Sequence, residues 1–126
     1  MPHVQVVGSC DLPALAPSLA GFIESRPPLV MKIAHAYVSL DRQHLLLEAM
    51  VVEGYLRQAF FLLVRKDETG LIIRCHPTSP VQKTDGVKTL IARLARTCLS
   101  LCPGSRVGHT NLAPFIEDQS AEAPPE

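Results

Sequence analysis

Leu29–Leu40 (LVMKIAHAYVSL), His44–Val52 (HLLLEAMVV), Leu56–Arg65 (LRQAFFLLVR) and Leu71–His76 (LIIRCH) follow one another with hardly a break. Each run is rich in Val, Ile, Leu and aromatic residues, the side chains that fit a pleated, half-buried surface. Turn signals separate them at Asp41-Arg42, at Glu53-Gly54 and from Lys66 to Gly70. Connections this short admit only antiparallel neighbours, because a parallel pair needs a crossover of about a dozen residues. The spacing predicts a four-stranded antiparallel meander over 29–76. Glu53-Gly54 also reads as a bulge in one long bent strand.

The alternation in these strands carries a second message. Phe60 and Leu62 alternate with Phe61 and Leu63, and Ile33 with Val30 and Val38, so both faces of the sheet are apolar. Antiparallel sheets commonly leave one face wet. A second cover is therefore expected, supplied by the first helix or by another chain.

Towards the N-terminus, Val4–Val7 reads as a short strand, and Asp11 stands where it could cap a helix. Leu12, Leu15, Leu19, Phe22 and Ile23 recur at helical spacing. Pro17 interrupts the pattern, which predicts a short turn followed by a helix from about Pro17 to the stop at Arg26-Pro27-Pro28. Towards the C-terminus, Ser79-Pro80-Val81-Gln82 is a helix-start pattern, with Thr84 as an alternative start because Gly86 weakens the first turns. Val87, Leu90, Ile91, Leu94, Cys98 and Leu101 then form an apolar stripe that ends at Pro103-Gly104. Val107–Ile116 favours no element, and Glu117–Glu126 reads as a disordered acidic tail. The expectation is one α+β domain over 1–116. Its antiparallel four-stranded meander packs against a long C-terminal helix from about residue 80 to residue 102, with a shorter N-terminal helix.

Composition bounds what such a domain could be. Of 126 residues, 47% are hydrophobic and 19% charged, too apolar for disorder and too interrupted by charge for a membrane span. The longest apolar stretch, Leu45 to Val64, contains Glu48, Glu53 and Arg57, each costly in hydrocarbon. Met1–Gly8 lacks the basic start and apolar run of a secretion signal, so the expected location is cytoplasmic. Cys10, Cys75, Cys98 and Cys102 do not have the spacing of a secreted disulfide framework, and free buried thiols are expected.

The search for chemistry finds no glycine-rich phosphate loop and no recognised hydrolase or zinc motif. Cys98 and Cys102 with His109 could ligate zinc, but Cys98 continues the apolar stripe of its helix, so core packing is preferred and no metal or cofactor is expected. Cys75 and His76 are adjacent on a strand and point to opposite faces, which argues against a nucleophile–base pair. Glu48 and Glu53, five apart, also face opposite sides. His35 reads as a core or interface residue.

Charge is unevenly placed within a neutral total. Arg74, Lys83, Lys88, Arg93, Arg96 and Arg106 stand against Asp85 alone between residues 71 and 106. A basic helix start could hold a small anionic molecule, on Arg74, His76, Lys83, Thr84 and Lys88, using free N–H groups and the helix dipole. Aromatic residues amount to 5% with no tryptophan, so the stacking platform of a nucleic-acid binder is missing. The leading functional expectation is a non-enzymatic interaction module that forms a homodimer through its sheet. The alternative is a binder of, or enzyme acting on, a small anionic ligand near the start of the long helix. The sequence leaves open whether there is a reaction, and names no catalytic residue.

Overall fold

The computed structural model describes residues 1–116; the expected acidic tail, 117–126, lies outside the described residues. Its chain order is β1 (His3–Val7), α1 (Leu12–Ala20), β2 (Ile23–Arg26), β3 (Leu29–Val38), β4 (His44–Glu53), β5 (Leu56–Lys66), β6 (Gly70–Cys75), α2 (Asp85–Leu101) and β7 (Arg106–Thr110). A further helical turn occupies 113–116. The strands form one sheet in the order β2-β3-β4-β5-β6-β1-β7, antiparallel throughout and curled into a half-barrel.

The expected architecture, four strands against a long helix, is thereby corrected to a mostly β fold with short helices. Three strands were missing from it as sheet partners, and each has a physical reason. Phe22 and Ile23 continue the helical apolar spacing, yet α1 stops at Ala20, and Ile23–Arg26 turns through Pro27-Pro28 to pair with β3, Arg26 opposite Leu29. The prolines that read as a helix stop are the turn of a hairpin. β1 fills the edge left by β6, with Val4 opposite Ile73 and Val6 opposite Leu71, and β7 adds to β1 in turn. Such pairings, about 65 residues apart in the chain for β1 with β6 and about a hundred for β1 with β7, leave no local signal.

The helices also differ from expectation. α1 runs through Pro17 rather than starting there, with Leu12, Leu15 and Leu19 buried. α2 begins after Thr84, whose hydroxyl accepts from the Val87 N–H at 3.3 Å. Glu53, from the β4–β5 turn, completes this cap: Thr84 Oγ1 donates to its Oε1 at 2.5 Å and the Gly86 N–H to its Oε2 at 2.9 Å. A Cβ on Gly86 would lie 2.5 Å from the Glu53 carboxyl carbon, so close approach explains the glycine.

Alternation sorts the sheet into two faces. On the inner face Val4, Val6, Met31, Ile33, Leu45, Leu47, Phe60, Leu62, Leu71 and Ile73 join the buried side chains of α1 and α2 in one core. Each large aliphatic side chain fully buried there contributes about 1.5–3 kcal/mol. Register shifts in β3 between Ile33 and His35 and in β1 against β7 leave extra residues that bend the strands around the helices.

The cysteines divide into two classes. Cys10 and Cys102, with Cα atoms 5.6 Å apart, form a disulfide joining the start of α1 to the end of α2, which corrects the expectation of four free thiols. Cys75 and Cys98 are free and buried. Burial pushes the Cys98 thiol up to about 12 and raises that of Cys75, so both stay protonated.

Candidate functional site

The outer face of the sheet can be read row by row from the register. One row runs Tyr37, Leu46, Leu63, Arg74, His3; the next holds His35, Glu48 and Phe61; a third holds Lys32, Met50 and Ala59. Both helices pack on the inner face, and none of Leu46, Met50, Phe61 or Leu63 belongs to the core or packs against it. Tyr37 is 50% exposed and Phe61 37%.

A groove of about 580 Å³ is sunk into this face. Leu46, Glu48, Met50, Ala59, Phe61 and the bulged Ala34 contribute its floor, and His76, Thr78, Ser79 and Pro80 stand along one side. That side exists because β6 stops at Cys75, opposite Leu62, while β5 continues. The unpaired β5 edge needs partners, since buried or half-buried backbone groups do not go unbonded. The loop after β6 supplies them. The His76 N–H donates to the Phe61 carbonyl at 2.9 Å and the Phe61 N–H to Ser79 Oγ at 2.9 Å. Gln58 then bonds the backbone of Gln82 twice, accepting from its N–H at 2.7 Å and donating to its carbonyl at 3.1 Å. Ser79, expected as a helix cap, thus caps a strand edge instead.

Within the groove the polar groups are few. The Tyr37 hydroxyl donates to Glu48 Oε1 at 2.7 Å, and this bond raises the phenol above its ordinary range. His76 Nδ1 receives the Thr78 N–H at 3.2 Å and lies 2.9 Å from the Thr78 hydroxyl. That is a local turn contact. Among the described residues nothing bonds the ring's other nitrogen, so no third group orients it as a catalytic base would need.

The five residues expected to gather around an anion lie in separate places. Thr84 is bonded to Glu53, whose carboxylate already occupies the helix N-terminus. Lys83 and Lys88 line a hollow with Met1, Pro2, Asn111 and Leu112, where Lys88 Nζ stands 5.8 Å from the Phe115 ring centre. Arg74 lines a different hollow with Met1, His3, Arg65 and Ile72. His76 belongs to the large groove. Sequence reasoning missed Glu53 as a capping partner, because nothing local joins a turn at residue 53 to a helix starting at 85. It also weighed Glu48 only against Glu53, and not as the partner of Tyr37. The signal available for the groove was the doubly apolar alternation of β4 and β5.

Among the described residues no group of three His, Cys, Asp or Glu is placed to hold a metal ion. No helix among them is long and apolar enough to cross a membrane. No protein-family model, curated protein or solved structure matches the chain.

Proposed function

We propose that this chain is a non-enzymatic interaction module that forms a homodimer through the outer face of its sheet. The observation that carries the reading is the apolar field of exposed Phe61 and half-buried Leu46, Met50 and Leu63, left uncovered by both helices. Covering such a surface is favourable at roughly 25 cal/mol per Å² of apolar area. A twofold contact requires a surface that complements itself. This one carries a carboxylate, Glu48, amid its apolar residues, and cations, Lys32 and Arg57, on neighbouring rows of the same face. A second copy supplies matching apolar area and opposite charges together.

Light scattering across a concentration series tests this. Wild type is expected at twice the chain mass, and Phe61→Glu at the chain mass with an unchanged far-UV circular dichroism spectrum. Wild-type protein that stays monomeric at its highest soluble concentration removes the proposal.

The cytoplasm is kept as the proposed compartment, and the Cys10–Cys102 pair is the observation set against it. Reducing compartments keep most thiols unpaired. Acid quenching of cells, then alkylation under denaturing conditions so that the buried Cys75 and Cys98 react, followed by mass measurement, decides: two modified cysteines indicate an oxidising compartment and four a reducing one.

A further inference from the structure

At the corner where β5, β6 and β1 run side by side, two arginines share the outer face. Arg65 pairs with Ile72 and Leu63 with Arg74, which makes Arg65 and Arg74 diagonal neighbours on adjacent strands. His3 sits directly opposite Arg74 on β1. Together with Met1 and Ile72 these side chains line a hollow of about 340 Å³. We propose that this hollow binds a phosphate group through the guanidinium groups of Arg65 and Arg74.

The charge balance points to an anion. Like charges in neighbouring positions of a sheet face repel unless something neutralises them. Among the described residues no carboxylate lines the hollow. Arg74 Nη1 lies 4.0 Å from the Met1 sulfur, a weak partner for a guanidinium. Asp67 has its carboxyl held down first by bonds from Thr69 and Gly70 to one oxygen and, less, by the charge of Arg65. Among the described residues no carboxylate forms an ion pair with Arg65 or Arg74.

The geometry favours phosphate over a single carboxylate. Each guanidinium presents parallel N–H donors that match two oxygens of a tetrahedral anion, and two of them suit a dianion. His3 lines the hollow beside them; its Nδ1–H donates to the Met1 carbonyl at 3.1 Å, so Nε2 of the neutral ring is an acceptor, suited to a protonated phosphate oxygen rather than to a bare one. Strands β5, β6 and β1 are all interior to the seven-stranded order, so the platform is rigid. The hollow is also larger than one phosphate, which leaves room for an attached organic group. This site shares no residue with the groove floor, though its Arg74 stands opposite Leu63 on the same face of the sheet.

Isothermal titration of the full chain with inorganic phosphate tests the proposal, with phosphatidic acid vesicles against phosphatidylcholine vesicles as a second arm. Saturable binding is expected, weakened at least about tenfold in Arg65→Gln and in Arg74→Gln. Lys83→Ala and Lys88→Ala, in the other hollow beside Met1, should bind as wild type does. Circular dichroism confirms that the arginine variants are folded. Binding to phosphatidic acid vesicles alone, lost in Arg74→Gln, supports the site and assigns its phosphate to a lipid headgroup. Absence of saturable binding in both arms, or binding lost in the lysine variants and retained in the arginine variants, overturns the proposal.

Discussion

Phe60 and Phe61 are neighbours in β5 and meet opposite surroundings, one 3% exposed among core residues and the other 37% exposed on the uncovered face. The inner face is closed by two helices, a disulfide and a carboxylate cap. The outer face has comparable apolar side chains, and among the described residues no helix covers it. Hydrophobicity alone therefore does not tell which face of a strand becomes core. The helices decide, and what they leave open is available for a partner.

The largest expected effect breaks the comparison at this pair. Phe60→Glu places a charge among buried apolar residues, and should cost about 4 kcal/mol or more, enough to unfold the domain. Phe61→Glu should alter stability by roughly 0.5 kcal/mol or less once the chain is monomeric, as for other surface changes. Urea unfolding of both variants measures the contrast. Equal losses would show that the outer face is as much a part of the core as the inner one.

Next in size is the covalent closure of the inner side. Cys102→Ser removes a cross-link between positions 92 apart in sequence, and a loss of about 2–5 kcal/mol is expected. Treating wild type with reductant should reproduce that loss and should leave Cys102→Ser unchanged. A wild type indifferent to reductant would mean the pair contributes nothing to closing the fold.

How much of this was legible follows from the range of each signal. The strands from Leu29 to Cys75 were readable because turn and alternation are local, and their pairing follows from short connections. β2 was misread because Phe22 and Ile23 fit a helical period, and only the hairpin with Leu29 overrides it. β7 and the place of β1 depend on pairings such as Val6 with Val107, which no neighbouring residue announces. The candidate site divides in the same way. The doubly apolar strands showed that one face would need a cover, whereas the arrangement of Arg65, Arg74 and His3 depends on register and on the N-terminal strand sitting beside β6. Thr84, read as an anion ligand, could not be recognised as already engaged without knowing that Glu53 reaches it.

That engagement gives a smaller prediction about the helix end. Alanine is the better helix former by about 1 kcal/mol, so Gly86→Ala should stabilise α2 if space allowed. Here the new methyl group must displace the Glu53 carboxylate, which loses its bonds to Thr84 and Gly86. A net loss of about 1 kcal/mol is expected. In a Glu53→Ala background the obstruction is gone, and the same substitution should become stabilising. Thermal denaturation of the four proteins gives the coupling, and additive effects would show that the carboxylate is not at the helix end.

The smallest effect concerns the tether between the inner helix and the edge strand. Glu24 on β2 accepts two bonds from Arg93 on α2, from Nε at 2.7 Å and from Nη2 at 2.9 Å. Those bonds hold its carboxyl below the ordinary 4.5, with burial opposing and the charges of Arg93 and Arg26 assisting. A carboxyl with a depressed folded value stabilises the protein fully above its unfolded value, and that stabilisation is lost as pH falls through the folded value. The contribution should therefore be complete near neutrality and fade below about pH 4.5, the ordinary carboxyl value. Because the Glu24 side chain is 25% exposed and Arg93 12%, solvent screening limits the pair to about 1 kcal/mol. Glu24→Gln keeps a neutral acceptor but cannot titrate, so the gap between it and wild type should narrow as pH falls through the lowered value of Glu24. Urea midpoints from neutrality into the acid range measure this. A gap that stays constant would mean that Arg93 stabilises the edge strand by packing of its stem rather than by its charge.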